Sequence, residues 1–118
     1  MNNREKGSAY EDLAASFFLK NGYRILERNY RRKTGEIDLI VLDPDGRTIV
    51  FTEVKYRKKL RNGYPEESVN VQKQARIYRT AEWYLLEKKI PAGTPCRFDV
   101  ISILGDQISQ IKNAFGGF

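Results

Sequence analysis

Two apolar runs, Glu36 to Asp43 and Thr48 to Arg57, lie either side of Pro44-Asp45-Gly46. Both are rich in Ile, Val, Leu and Phe, the residues that suit a pleated surface, and Pro-Asp-Gly is a turn signal. The pattern predicts an antiparallel hairpin. With Pro44 to Arg47 as a four-residue loop, a common length built on a type I turn, Asp43 faces Thr48. That register sets Leu42 against Ile49, Ile40 against Phe51, Asp38 against Glu53 and Glu36 against Lys55, all on one face. Val41 with Val50 and Ile37 with Val54 fall on the other. Both faces are apolar over much of their length, so these strands are expected at the centre of a sheet covered on both sides.

The rest of the chain supplies the covers. Tyr10, Leu13, Ala14, Phe17 and Phe18 follow helical spacing, which predicts a helix from near Ser8 to the stop signal Asn21-Gly22. A strand follows, roughly Tyr23 to Tyr30. A second helix is expected from about Glu66 or Asn70 to Lys88, with Ile77, Tyr78, Ala81, Tyr84 and Leu85 on its apolar face. Pro91 to Pro95 breaks it. Arg97 to Leu104 and Gln107 to Lys112 read as two further strands around the turn Gly105-Asp106. The order αβββαββ predicts an α/β fold with a mixed central sheet flanked by helices. At 118 residues, without repeats or an internal linker, residues 1–118 read as a single domain. Trp83 and Tyr84 read as core or interface aromatics, not as base-stacking platforms.

Composition removes several chemistries. Histidine is absent, which excludes Ser-His-Asp hydrolases and His-based zinc or nuclease sites. The single cysteine, Cys96, gives neither an internal disulfide nor a thiolate cluster and reads as a core or sheet-edge thiol. No G-x-x-x-x-G-K loop is present. The N-terminal residues are polar, no signal peptide is visible and no stretch reaches membrane-spanning length, so a cytoplasmic protein without membrane contact is expected. The net charge of +6 favours polyanionic partners.

The hairpin carries the chemistry. Glu53 and Lys55 point the same way, about 7 Å apart along the strand. Opposed carboxylates beside apolar neighbours repel and are costly to bury, so a cation belongs between them. Lys55 supplies one charge. A hard divalent ion such as Mg²⁺, which binds one or two carboxylates and takes its other ligands from water and substrate phosphate, would supply the rest. Asp38, Glu53 and the Val54 carbonyl make such a half-site, with Lys55 placed to orient a water or stabilise developing negative charge. An ordinary salt-bridged cluster of Asp38, Glu53 and Lys55 is the other reading of the same residues.

Gly35-Glu36-Ile37-Asp38 followed by Phe51-Thr52-Glu53-Val54-Lys55 resembles the G-E-I-D … V-E-V-K signature of the uncharacterised bacterial YraN-like family. That family is placed in the PD-(D/E)XK nuclease superfamily, near the archaeal Holliday-junction resolvases. Glu11-Asp12-Leu13-Ala14, Gly22-Tyr23-Arg24-Ile25-Leu26, Lys73-Gln74, Ala81 with Tyr84-Leu85, Arg97-Phe98-Asp99 and Asn113-Ala114-Phe115 extend the likeness over essentially the whole chain. The resemblance implies a restriction-endonuclease-like fold, Mg²⁺ or Mn²⁺ dependence and hydrolysis of phosphodiesters. Ile37 stands where the superfamily's name has proline.

Around this core, Glu11 has two readings. It closes a capping box with Ser8, or it joins the metal site, where the superfamily often places a helix-one carboxylate. Lys73, four residues before Ile77, reads either as a site residue touching substrate or as a lysine snorkelling at a helix end. Gln74 shares its setting. Asp99 reads as an ion-pair partner of a neighbouring Arg or Lys. Arg57, Lys58, Lys59 and Arg61 emerge directly after Lys55, where phosphates would lie. Arg28, Arg31, Arg32 and Lys33 precede Glu36 and are placed to line the same groove. Such contacts give affinity without reading sequence, and no recognition helix or zinc finger is present.

The function expected is metal-dependent cleavage of DNA, on branched DNA if the resemblance extends to substrate. A homodimer would match the two-fold character of a junction. A non-catalytic nucleic-acid-binding module with the same fold is the main alternative, and a partner-binding adaptor the third. Replacing Arg57, Lys58, Lys59 and Arg61 by Ala should weaken DNA binding alike for unrelated sequences. It should also flatten the salt dependence by roughly 0.9 of a log–log unit per lost duplex phosphate contact. Titrations at several salt concentrations check this, and no binding even at low salt would remove nucleic acid as the partner.

Overall fold

A computed structural model describes residues 3–57 and 69–116, with the backbone alone for residues 3–8. Lys58, Lys59, Arg61 and Glu66 lie outside the described residues. The elements run α1 (Asn3–Lys20), β1 (Arg24–Arg32), β2 (Gly35–Leu42), β3 (Ile49–Arg57), α2 (Val71–Glu87), β4 (Cys96–Leu104) and β5 (Gln107–Ile111). This is the expected αβββαββ order.

The five strands lie side by side in chain order. β1–β2, β2–β3 and β4–β5 pair antiparallel, whereas β3–β4 pair parallel. A parallel step needs a crossover, and α2 is the crossover. The sheet is therefore mixed, with β3 at its centre, and the architecture is consistent with the restriction-endonuclease-like fold. No helix among the described residues is long and apolar enough to cross a membrane.

Each face of the sheet has its own helix. On one side Ala14, Ala15 and Phe18 of α1 pack on Leu39, Val41, Val50, Ile101 and Ile103. On the other, Ile77, Ala81 and Tyr84 of α2 pack on Ile37, Ile40, Phe51, Phe98 and Val100. Phe51 and Phe98 are register partners, with rings stacked 5.5 Å apart. Phe115 continues the stack 5.4 Å beyond Phe98. Such pairs contribute about 0.5–1.5 kcal/mol each beyond the area they bury.

The helix ends follow from local chemistry. Gly22 adopts φ +82°, and Tyr23 N–H returns to the Phe18 carbonyl at 3.0 Å, closing α1. Asn70, the later of the two expected starts, caps α2 by accepting the Lys73 N–H. At the other end α1 departs from expectation. It begins at Asn3, so Ser8 lies inside the helix and cannot cap it, and the capping-box role of Glu11 falls away. Its buried face is also rotated. Ala15 is buried while Leu13 is 47% exposed, because small alanines let the helix approach the sheet closely. Trp83, expected in the core or an interface, is 49% exposed, whereas its neighbour Tyr84 is buried.

The hairpin register is as expected up to a point. Asp43 N–H donates to the Thr48 carbonyl at 2.9 Å around Pro44 to Arg47. Leu42↔Ile49, Val41↔Val50, Ile40↔Phe51 and Leu39↔Thr52 then pair. The ladder ends there. β2 stays with β1 through Ile37↔Tyr30, Glu36↔Arg31 and Gly35↔Arg32 and leaves β3. The expected backbone pairs of Asp38 with Glu53 and Glu36 with Lys55 are therefore not formed. The face of Ile37 changes too. It joins Ile40 and Phe51 on the α2 side, while Val54 packs on the α1 side.

A second cluster ties the far end of the sheet together. Asp99 is fully buried and accepts from Arg97 Nε at 3.0 Å, Gln110 Nε2 at 2.9 Å and Asn113 N at 2.9 Å. Arg97 also reaches Asp43 at 2.6 Å and the Tyr23 hydroxyl at 2.8 Å. The ion-pair reading of Asp99 holds, and its partner is Arg97. Arg97→Met leaves a buried carboxylate without its counter-charge, which is expected to cost about 3–5 kcal/mol. Urea unfolding measures it. An unchanged midpoint would mean that the cluster adds nothing to stability.

Candidate metal and nucleic-acid site

The divergence of β2 from β3 creates the site. Beyond Thr52 the β2-facing edge of β3 has lost its ladder partner, and the Val54 N–H would be left unpaired in the sheet interior. Asp38 Oδ2 accepts it at 2.8 Å. One side chain thereby replaces a backbone carbonyl, and the Asp38 carboxyl is held beside β3. Its neighbour across β1, Asn29, has φ +53°, so the outer strand bends at the same level.

Glu53 is buried and projects from β3 on the α2 side, the face of Phe51. Lys73, in the first turn of α2, reaches its Oε1 at 2.6 Å, and Lys55 lies 3.6 Å from the same oxygen. Asp38 and Glu53 share a cleft of about 390 Å³ with Gly35, Glu36, Lys73, Arg76 and Ile77. Each carboxylate keeps one oxygen, Asp38 Oδ1 and Glu53 Oε2, without a hydrogen bond to a described residue. Val54 directs its N–H toward β2, and a strand residue presents N–H and C=O to the same side, so the Val54 carbonyl faces that way as well.

The charges in the cleft are frustrated. Burial, then the Glu53 carboxylate, pushes the Asp38 carboxyl up to about 7, against the lowering effect of the Val54 N–H. Glu11 and Glu36 push in the same direction. The first of these shows that α1 brings the Glu11 charge within electrostatic range of Asp38. Burial and the adjacent Lys73 ammonium hold Lys55 below the usual lysine range. Burial also opposes the Lys73 charge, but its bond to Glu53 outweighs this and its pKa is raised.

The donor set fits a hard divalent cation of the Mg²⁺ type: two carboxylates with one uncommitted oxygen each and a backbone carbonyl, with no ion pair to the Asp38 carboxyl among the described residues. Among the described residues no group of three or more His, Cys, Asp or Glu side chains is arranged to hold a metal. Any ion here would therefore take much of its coordination from water and substrate, as Mg²⁺ commonly does.

The structure thus brings Asp38, Glu53, Lys55 and Lys73 together, with Glu11 nearby. The other expected residues are disposed differently. Gln74 turns its amide to the Val69 carbonyl at 2.8 Å. Arg32 grips Glu87 with Nε at 2.6 Å and lies over the Tyr30 ring, so its guanidinium is committed away from any phosphate. Arg28 pairs with Asp12 and Arg31 with Glu36. Lys33 is exposed, and Arg57 is exposed at the end of β3. Sequence reasoning missed Arg76, which lines the cleft one turn after Lys73; that spacing was the available signal.

The family profile described as "Uncharacterised protein family UPF0102" matches residues 10–103. The chain belongs to that family. A UPF0102 protein of Lachnoclostridium phytofermentans is 46% identical over 118 residues, 100% of this chain and 98% of that protein. A relative from Persephonella marina is 47% identical over 110 residues, covering 93% of this chain and 92% of that protein. One from Clostridioides difficile is 44% identical over 117 residues, covering 98% of this chain and all of the relative. The UPF0102 match spans β2, β3 and α2, so the cleft lies within the family's shared region.

The raised Asp38 pKa has a signed consequence for stability. The folded state holds this proton between about pH 4 and 7, where the unfolded chain releases it. The group's contribution is thus most favourable at low pH and is lost as pH rises through 7. Asp38→Asn keeps an acceptor for Val54 N–H and never ionises. It should match the wild type near pH 4 and exceed it above pH 7 by on the order of 2 kcal/mol, without metal. Melting curves across pH test this. A variant less stable than wild type at pH 8 would identify Asp38 as an ordinary salt-bridge member.

Proposed function

We propose that this UPF0102 protein is a metal-dependent endonuclease of the PD-(D/E)XK type, acting in the cytosol on DNA phosphodiesters. Branched DNA is the proposed substrate, with a homodimer as the matching assembly. The observation that carries the reading is the pairing of Asp38 and Glu53 in one cleft, where burial and the Glu53 carboxylate work against the charge on Asp38.

In this reading Asp38, Glu53 and the Val54 carbonyl would hold Mg²⁺ or Mn²⁺. The ion, when bound, polarises the scissile phosphate and acidifies a water. The chain's own groups do the rest. Asp38 is fixed by the Val54 N–H, so its free oxygen has little freedom to turn away. Lys55, held by Glu53 at 3.6 Å, orients the attacking water and faces the charge that builds on phosphate oxygen. Lys73 holds the Glu53 rotamer from α2. Hydrolysis joins the water oxygen to phosphorus and breaks one P–O ester bond, the departing oxygen taking a proton.

One observation favours a second reading. Two ammonium groups already attend Glu53, and they balance its charge without an ion. A non-catalytic nucleic-acid-binding module would need no more. Linear, flapped and four-way DNAs incubated with Mg²⁺ or Mn²⁺ separate the two. The nuclease reading expects cleavage that Asp38→Asn abolishes, by a factor on the order of 10³ or more, while metal-free DNA affinity is kept or improved. Binding without cleavage of any substrate, and no rise in melting temperature with Mn²⁺, would leave the binding module as the function.

A further inference from the structure

Helix α2 carries a second feature, on its outer face. Gln72, Arg76, Arg79, Trp83 and Leu86 are all exposed, and their spacing of 4, 3, 4 and 3 residues forms one stripe along the helix. The stripe starts at the cleft, because Arg76 lines it together with Lys73. Neither the Arg76 nor the Arg79 guanidinium has an ion pair or hydrogen bond to a described residue, in contrast to Arg28, Arg31, Arg32 and Arg97. Glu82, exposed on the same helix, forms no ion pair with either, nor do Glu36, Asp38 and Glu53, which line the cleft with Arg76.

Beyond the arginines lies a half-exposed indole. Trp83 is 49% exposed, and its ring touches no other aromatic ring among the described residues. It sits seven residues after Arg76, two helical turns and about 10 Å along the same line. That distance is roughly three stacked nucleotide steps of about 3.4 Å. Free guanidinium groups leading from a cleft to an exposed aromatic ring are the parts of a single-strand track: cations follow the backbone, and a ring stacks on a base.

We propose that the outer stripe of α2 binds an unpaired DNA strand that leaves the cleft, with Arg76 and Arg79 on its phosphates and Trp83 stacked on a base. This deepens the nuclease reading and rests on nucleic acid occupying the cleft. A duplex hides its base faces, so the indole discriminates for frayed, flapped or branched DNA. The side chains are exposed, so their removal does not disturb the core.

Trp83 is the chain's single tryptophan, so intrinsic fluorescence reports on this position alone. The wild-type protein is titrated in EDTA with short oligo(dT) and with a blunt duplex of the same length, while the anisotropy of labelled DNA records binding independently. The expected result is saturable quenching by oligo(dT), with the anisotropy midpoint, and none by the duplex. Trp83→Ala should weaken oligo(dT) binding roughly five- to hundredfold, and Trp83→Phe should recover most of it. Arg76→Ala with Arg79→Ala should flatten the single-strand salt slope by roughly 1.4, the value for two phosphates.

Binding without quenching, or equal quenching by duplex, would overturn the track. So would emission that changes with protein concentration alone, which would assign the indole to a contact between two copies. Cleavage without quenching would sink the track and leave the nuclease standing. Quenching without cleavage in Mg²⁺ would do the reverse, and no anisotropy change with any DNA would remove both.

Discussion

At Thr52 the central strand loses one of its two neighbours, and the backbone donor of Val54 is left facing the gap. An unpaired buried N–H costs on the order of 1–3 kcal/mol. The Asp38 carboxylate answers it at 2.8 Å. Because that bond is made by a side chain, β2 can swing away with β1 while β3 continues along β4 to Arg57. The gap between them becomes a cleft in the middle of a sheet. The acid is fixed there by a backbone requirement, so its free oxygen is aimed by the fold itself.

The helices set the electrostatics of that gap from opposite sides. α2 lays Ile77 and Tyr84 on the sheet, which brings Lys73 to within 2.6 Å of Glu53. α1 approaches through alanines and carries the charge of Glu11 toward Asp38 from the other face. Positive charge therefore gathers around Glu53 and negative charge around Asp38, within one cleft. A cation and a phosphate bound side by side would match that division.

Much of the hairpin was legible in the sequence. The four-residue loop and the register it sets hold from Asp43↔Thr48 to Leu39↔Thr52, since turn chemistry and apolar alternation specify both. The break was not legible, because a period of two carries no mark of where pairing stops. Ile37 consequently changed faces. Lys73 was found because it is spaced four residues from a core isoleucine. Arg76 goes unmarked for a related reason: a helix with abundant apolar residues does not announce which way it rolls, so Trp83 reads as a core or interface aromatic and not as a base-stacking platform. The start of α1 was misplaced because Ser8-x-x-Glu11 matches a cap wherever it occurs.

The two open margins of the sheet have a further effect on how copies of this molecule meet. A long, flat outer strand is a template on which another chain can extend the sheet. β1 is nine residues long, but its pairing register slips between Ile25 and Glu27, and Asn29 turns to φ +53° within it. Along it Arg24, Arg28, Arg31 and Arg32 are exposed. β5, at the opposite margin, is five residues long. Neither edge offers a straight run of backbone to a newcomer. Growth by strand addition is disfavoured at both margins, which turns association of this protein toward its helix faces and loops, where geometry can be closed and finite.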